Sequence, residues 1–273
     1  MDGRPQVSAI MPAFNAAATI EAAVASVQAQ TEVHWELIVV DDGSTDETLA
    51  IVRRMARDDP RVSVWSTAHR GRGGARNAAM LFARGRYIAL CDADDLSRPQ
   101  RFERQRAALD ARPEVFAVGA ALAPFVDVTR LGVLGTRRWP SDSASVGRRF
   151  SQLRMAVPNC AVMMRAADLE RVGTYDEDLP RAQDLDLFLR AHQMGLRFEN
   201  LDEVLVDYRQ DGRVQSFAYY RANAVQHARV VKKHAPGMRA LAPFAAVHRL
   251  GSVAHPPRYA LYRLKRRLRE GAI

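Results

Sequence analysis

Three carboxylates within four residues, Asp92-Ala93-Asp94-Asp95, directly follow the apolar run from Tyr87 to Cys91. Acidic side chains two apart at the end of a strand can both lean toward one divalent ion and the diphosphate that the ion neutralises. Hard oxygen donors of this kind suit Mg²⁺ or Mn²⁺. A plainer reading is a solvated turn in which Asp95 caps the next helix. A second acidic turn, Asp41-Asp42-Gly43-Ser44, carries the same ambiguity, because Asp and Gly also serve turns for backbone reasons alone.

The elements that must hold these turns are readable from periodicity. Val7 to Met11 is a short apolar strand, and Pro12-Ala13-Phe14-Asn15 is expected to stop it, since proline cannot donate to a ladder. Ile20, Ala23, Val24 and Val27 fall at helical spacing between Thr19 and Gln28. Glu36 to Val40 reads as a strand buried on both faces and ends in Asp41-Asp42-Gly43. Ser44 to Glu47 has capping-box spacing and should open the next helix. Val62 to Trp65, Gly73 to Ala83 and Tyr87 to Leu90 continue the alternation as strand, helix and strand. Such alternation predicts an α/β fold, a Rossmann-like, mainly parallel sheet flanked by helices, with ligands beyond the carboxyl ends of the strands. Pro12 to Asn15, Asp41 to Ser44 and Asp92 to Asp95 all occupy that edge.

Beyond Pro99 the pattern is mixed. A helix is expected from Arg101 to Ala111, strand-like runs from Val115 to Val128, and a polar, Arg-rich segment around Arg137 to Phe150. Cys160 to Met164 reads as a strand, followed by helices from Ala166 to Val172 and from Asp184 to Met194 around the turn Gly173 to Asp176. Val204 to Tyr208 is the expected last core strand. Residues 1–212 form the expected catalytic domain, with a nucleotide half to about residue 98 and an acceptor half from about 99 to 212; residues 213–273 form a helical, basic C-terminal extension.

Composition narrows the class. The chain has 273 residues, 48% hydrophobic and 26% charged, within the ordinary globular range. Its apolar windows are broken well before the roughly 18 residues that a membrane-spanning helix needs. The N-terminus carries no secretory signal pattern, and Cys91 and Cys160 lack nearby Cys or His partners, so a reducing cytoplasmic setting without disulfides is expected. The net charge of +9 belongs to the tail, where residues 204–273 hold 14 Lys and Arg against 3 Asp and Glu.

The ordered motifs resemble family 2 glycosyltransferases of the GT-A fold. Val7 to Ile51 is similar to their opening V-S-[VI]-I-x-P-x-[YF]-N and E-[LI]-I-V-V-D-D-G-S-T-D. Gly71 to Asn77 and Tyr87 to Asp95 match G-x-x-x-A-R-N and Y-[IV]-x-x-x-D-x-D-D. Gly173 to Glu177 and Gln183 to Arg190 match G-[GT]-[YF]-D-E and E-D-x-D-L-x-L-R. The resemblance implies an inverting transfer of a sugar from a nucleotide-diphosphate sugar, UDP favoured, to a hydroxyl on a carbohydrate or lipid-linked acceptor, in bacterial cell-surface polysaccharide or glycolipid synthesis. It also implies that Pro12, Ala13, Phe14 and Asn15, with Asp42, form the nucleobase end of the donor site, that Arg76 lies near the nucleotide, and that Asp92 bonds the ribose. Asp94 would hold Mn²⁺ or Mg²⁺, and Asp184 would be the base that accepts the acceptor's proton. Two positions depart from the pattern: Gln183 replaces the usual Glu, and Asp211 stands where many relatives have His.

Two rival functions share some of these features. A sugar-nucleotide nucleotidyltransferase would need nucleotide, sugar and Mg²⁺, yet Pro12 to Asn15 is not the Gly-rich basic loop such enzymes carry after the first strand. A non-catalytic nucleotide or nucleic-acid binder would use the basic tail, but no RNA-binding, zinc-finger or OB signature supports it, and no nucleic-acid partner is expected. In the tail, Tyr219 to His234 is expected to be helical. Tyr259 to Arg269 sets Leu261, Leu264 and Leu268 beside five cations, a pattern that suits either an anionic membrane surface or docking on the catalytic domain.

Overall fold

A computed structural model describes residues 4–126, 135–210 and 217–235, with residues 217–220 described by backbone alone. The chain divides into two compact units, residues 1–212 and 213–273. The first opens with the alternation expected from its apolar periodicity: β1 (Val7–Ala13), α1 (Ile20–Gln28), β2 (Trp35–Asp41), α2 (Thr48–Asp58), β3 (Val62–Ser66), α3 (Gly71–Met80) and β4 (Tyr87–Leu90). It continues with β5 (Leu96–Ser97), α4 (Arg101–Ala111), β6 (Val115–Phe125), α5 (Ser143–Ser151), a 3-10 turn at Asn159–Ala161, β7 (Met163–Arg165), α6 (Ala166–Val172), α7 (Gln183–Gln193) and β8 (Arg197–Arg209). The described part of the second unit is α8 (Phe217–His234), with Lys232, Lys233 and His234 in its last turn, where cations suit the helix dipole. The Tyr259 to Arg269 stripe and Asp211 lie outside the described residues. Among those described, no helix is long and apolar enough to cross a membrane.

The strands form one sheet in the order β3-β2-β1-β4-β7-β6-β8-β5. β3, β2, β1 and β4 are parallel neighbours, as helical crossovers require. The sheet then becomes mixed: β7 runs antiparallel to both β4 and β6, β8 is parallel to β6, and β5 is antiparallel to β8. Every residue of β2 and of β6 is buried, which accounts for their unbroken apolar runs. Val7, Ala9 and Met11 of β1, Leu37 and Val39 of β2, and Val24 and Val27 of α1 share one core.

Several boundaries differ from expectation for identifiable reasons. Pro12 does not end β1; the pairing with β2 runs on to Ala13 opposite Asp41. Pairing with β4 has already ended at Ile10 and Leu90, so the proline's missing donor falls where β1 has only one neighbour. The Ser44 to Glu47 capping box does not form. Asp46 instead accepts from the Thr48 backbone N–H at 3.0 Å, and α2 begins at Thr48. The Arg-rich segment hides α5, capped by Asp142 through the Ser145 N–H at 2.7 Å, with only Val146 and Phe150 on its buried stripe. Cys160 belongs to the 3-10 turn and not to a strand. β8 starts seven residues before Val204, because its first half carries exposed Asp202 and Glu203 and passes an irregular register opposite Ala120 and Ala121.

At the amino edge, a polar knot around the buried Ser8 and Glu36 ties the strands together, with Arg84 closing it from the solvent side. Ser8 Oγ donates to Glu36 Oε1 at 2.6 Å and accepts from the Gly85 N–H at 2.7 Å, while Arg84 Nη2 reaches Glu36 Oε2 at 2.6 Å. A Cβ on Gly85 would lie 2.5 Å from the Ser8 backbone nitrogen, which cannot move without shifting β1. Gly85→Ala is therefore expected to lower stability by about 1–3 kcal/mol, read as a fall in the urea midpoint at unchanged slope.

Candidate active site

The carboxyl edge of β1, β2 and β4 gathers three loops. Asn15, in a left-handed conformation with φ 48°, braces two of them. Its N–H donates to Ser44 Oγ at 2.9 Å and its Oδ1 accepts from the Thr45 N–H at 2.9 Å. Pro12 and Ala13 sit in the strand beneath, whereas Phe14 is exposed and lies with its ring centroid 4.3 Å from that of His69. Asp42 is buried and accepts from the backbone N–H groups of Arg70 at 2.7 Å and Gly71 at 2.9 Å, which anchors the start of α3. Gly43 has φ 74°, and a Cβ there would press within 3.1 Å of the His69 nitrogen, so the turn needs glycine.

From α3, Arg76 reaches the β4 loop. It is buried, and its Nη2 donates to Asp92 Oδ1 at 2.9 Å. Its guanidinium lies over the Tyr175 ring, 5.5 Å from the centroid. The next residue, Asn77, clamps the loop ahead of α7 through reciprocal bonds: its Nδ2 donates to Tyr175 O at 2.9 Å, and the Tyr175 N–H donates to its Oδ1 at 2.8 Å. Glu177 adds bonds to Asn77 and to Arg70. One helix thus ties the acidic loop after β4 to the segment that leads into Asp184.

Asp184 and Asp186 do different work. Asp186 is fully buried and pairs with Arg190 Nε at 3.0 Å, while the same guanidinium binds Val172 O and Thr174 O at 2.6 Å each, closing the turn at Gly173. Asp184 is not the residue before α7; the helix follows Ala182, which lies in the left-handed region, and Asp184 Oδ1 accepts from the Leu185 N–H of the first turn at 2.9 Å. Burial raises the Asp184 carboxyl above the ordinary carboxylate range, and the Arg76 charge opposes part of that rise.

In the acidic loop, Asp95 is not a helix cap. It is buried, and its Oδ1 accepts from the Arg209 N–H of β8 at 2.8 Å, while its Oδ2 is buried without a hydrogen-bond partner. Burial, followed by the charges of Asp92 and Asp94, pushes its carboxyl up to about 8. Asp94 is raised by desolvation and by Asp92 against the pull of Arg72 and Arg209. Ligand atoms of Asp92, Asp95 and Cys160 lie within 4.8 Å of one another. Behind them, Arg101 is 1% exposed and donates to Leu90 O at 2.6 Å and Ser97 Oγ at 2.9 Å, setting a buried cation beneath the strand end. Crowded, desolvated carboxylates with a bare buried oxygen fit a hard divalent cation, whose charge would offset their mutual repulsion.

Residues 8–171 match the model of the family Glycosyl transferase family 2. The chain belongs to that family. It is 32% identical over 234 residues to EpsE of Bacillus subtilis (strain 168), assigned as a glycosyltransferase, across 82% of this chain and 81% of the relative. It is 31% identical over 209 residues to TuaG of the same organism, assigned as a glycosyltransferase of teichuronic acid biosynthesis, across 76% of this chain and 79% of the relative. Its fold is similar to that of the mannosyltransferase PcManGT from Pyrobaculum calidifontis, solved with GDP-Man and Mn²⁺. The TM-score there is 0.62 at 24% identity, over 97% of this chain and 80% of that one. The architecture of this family 2 glycosyltransferase is the GT-A fold, an α/β sheet curled between helices.

Sequence patterns brought Asp42, Arg76, Asp92, Asp94 and Asp184 to notice but not His69, Tyr175, Cys160 or Arg209. Tyr175 lay within a matched block, yet nothing in its spacing reveals that its ring carries Arg76. Cys160 gave no signal, since a small buried thiol reads as core. The Tyr175 hydroxyl is buried without a hydrogen-bond partner. Tyr175→Phe is accordingly expected to leave folding stability unchanged or raise it by up to about 1 kcal/mol in urea titrations, since the deleted hydroxyl forfeits no bond.

Proposed function

We propose that this glycosyltransferase inverts the anomeric centre of a nucleoside-diphosphate sugar, UDP-linked by preference, by direct displacement with an acceptor hydroxyl. The observation that carries the reading is a bridge made by α3: Arg76 hydrogen-bonds Asp92 at 2.9 Å, and the adjacent Asn77 clamps the Tyr175 backbone at 2.9 and 2.8 Å, so one helix joins the acidic loop after β4 to the segment that leads into Asp184. Such an arrangement suits a donor diphosphate on one side and a proton acceptor on the other. The Asp184 carboxylate takes the hydroxyl proton as the acceptor oxygen bonds to the anomeric carbon and the bond to the diphosphate breaks. Its raised affinity for protons makes it a better base than a free carboxylate. Asp184 Oδ1 accepts from the Leu185 N–H at 2.9 Å, which orients the carboxylate and leaves its second oxygen for this task.

Phe14 and Asp42 would receive the nucleobase and Asp92 the ribose, with Pro12, Ala13 and Asn15 shaping the loop beneath. Asp94 with Asp92 would hold Mn²⁺ or Mg²⁺, which when bound would neutralise charge on the departing diphosphate. Arg76 keeps Asp92 in place and adds positive charge near the same end. Similarity to TuaG supports an acceptor in cell-surface polysaccharide synthesis. The Leu and Arg stripe of residues 259–269 would suit a lipid-linked acceptor at an anionic membrane.

Two measurements address this. In thermal-shift assays with a panel of nucleoside diphosphates, UDP or GDP should raise the melting temperature only with Mn²⁺ or Mg²⁺ present, and Asp94→Ala should remove the metal-dependent part. No shift with any nucleotide would refute the donor site. Asp184→Asn should lower kcat by about 10²–10⁴-fold while the same thermal shift persists; full turnover in that variant would exclude Asp184 as the base.

A further inference from the structure

Asp42 is 3% exposed, which leaves no open path to its carboxylate. What covers it is specific. His69 Nδ1 lies 2.9 Å from Asp42 Oδ2 and 3.0 Å from the Asp42 carbonyl oxygen. Both partners only accept, so Nδ1 carries the hydrogen. The same imidazole lies against the Phe14 ring, with centroids 4.3 Å apart and planes tilted by 33°. One heteroaromatic ring thus donates a ring N–H to Asp42 and sets its face on Phe14.

Those are the two interactions a nucleobase would make in this place. We propose that the His69 imidazole occupies the nucleobase position in the ligand-free protein, and that a base with its own ring N–H displaces it when the donor binds. The inference rests on the reading that the base docks at Phe14 and Asp42.

Geometry favours exchange over insertion. A base sandwiched between Phe14 and His69 needs two layers of carbon contact, roughly 7 Å between rings, against the 4.3 Å present. The other bonds to the Asp42 carboxylate come from the backbone N–H groups of Arg70 and Gly71, which the start of α3 holds in place. The imidazole bond can be given up by rotating one side chain, and that side chain is 57% exposed, with solvent to swing into. Uracil and guanine both present a ring N–H able to take over the bond to Asp42.

The consequence is unusual for a residue in contact with a binding site: removing it should improve binding. The test is calorimetric titration of UDP and of GDP, with Mn²⁺, into the wild type, His69→Ala and Phe14→Ala. His69→Ala should bind the preferred nucleotide about three- to tenfold more tightly, because no hydrogen bond has to be broken first, and Phe14→Ala should bind it more weakly. Weaker binding by both variants would overturn the exchange and make His69 a lasting wall of the base site. Unchanged binding by both would overturn it together with the base subsite itself. In the wild type, the imidazole Cε1–H resonance should move on UDP addition as the ring leaves Phe14; a resonance that stays while UDP binds would also refute the exchange.

Discussion

Like charge packed at one edge of a sheet is the constraint on which this molecule turns. Asp92, Asp94 and Asp95 follow a four-residue strand whose every residue is buried, so their carboxylates crowd together partly out of water. Such a cluster survives in a folded protein only if cations and fixed donors surround it. Arg76 binds Asp92, the Arg209 backbone binds Asp95, and Arg101 sits beneath with neutral partners. The repulsion that remains is what a divalent cation would relieve.

Helix α3 organises the response to that constraint. Asp42 holds its first turn, Arg76 on its inner face reaches Asp92, and Asn77 grips the backbone of Tyr175. A single ten-residue helix therefore connects the loops after β2 and β4 with the segment that leads into α7. Arg190 completes the connection by tying Asp186 to the carbonyls of Val172 and Thr174. Asp184 accepts from the Leu185 N–H at the helix start, while Asp186 is taken up by Arg190. The groups that tie these loops together lie beside the carboxylates of the acidic loop and of α7, and such support is what holds a site within a narrow geometry.

Legibility followed the physics of each element. α4 and α6 lie at their expected bounds; α4 buries Arg101 and Gln105 beside Phe102 and Leu109, and α6 buries Leu169 and Val172. α5 is hidden in the sequence because Val146 and Phe150 stand among Ser, Gly and Arg residues that together read as a polar loop. Only the second half of β8 carries a legible apolar pattern, since its first half holds charged residues beside a register irregularity. Asp95 looked like a helix cap by position alone; its actual partner lies 114 residues away in β8 and has no local signature.

The amino-acid sequence by itself determined the alternation of strands and helices, the family, and the acidic and basic residue types that meet at one edge, because these are written in local period and in ordered motifs. The tertiary structure decided what holds each carboxylate: Asp186 bound to Arg190, Asp95 bound to β8, Asp184 bound to the Leu185 N–H and near Arg76, and Asp42 covered by an imidazole. The reason is that burial and partner choice depend on groups far apart in the chain, and only packing brings those within the few ångströms over which a hydrogen bond or a desolvated charge has its effect.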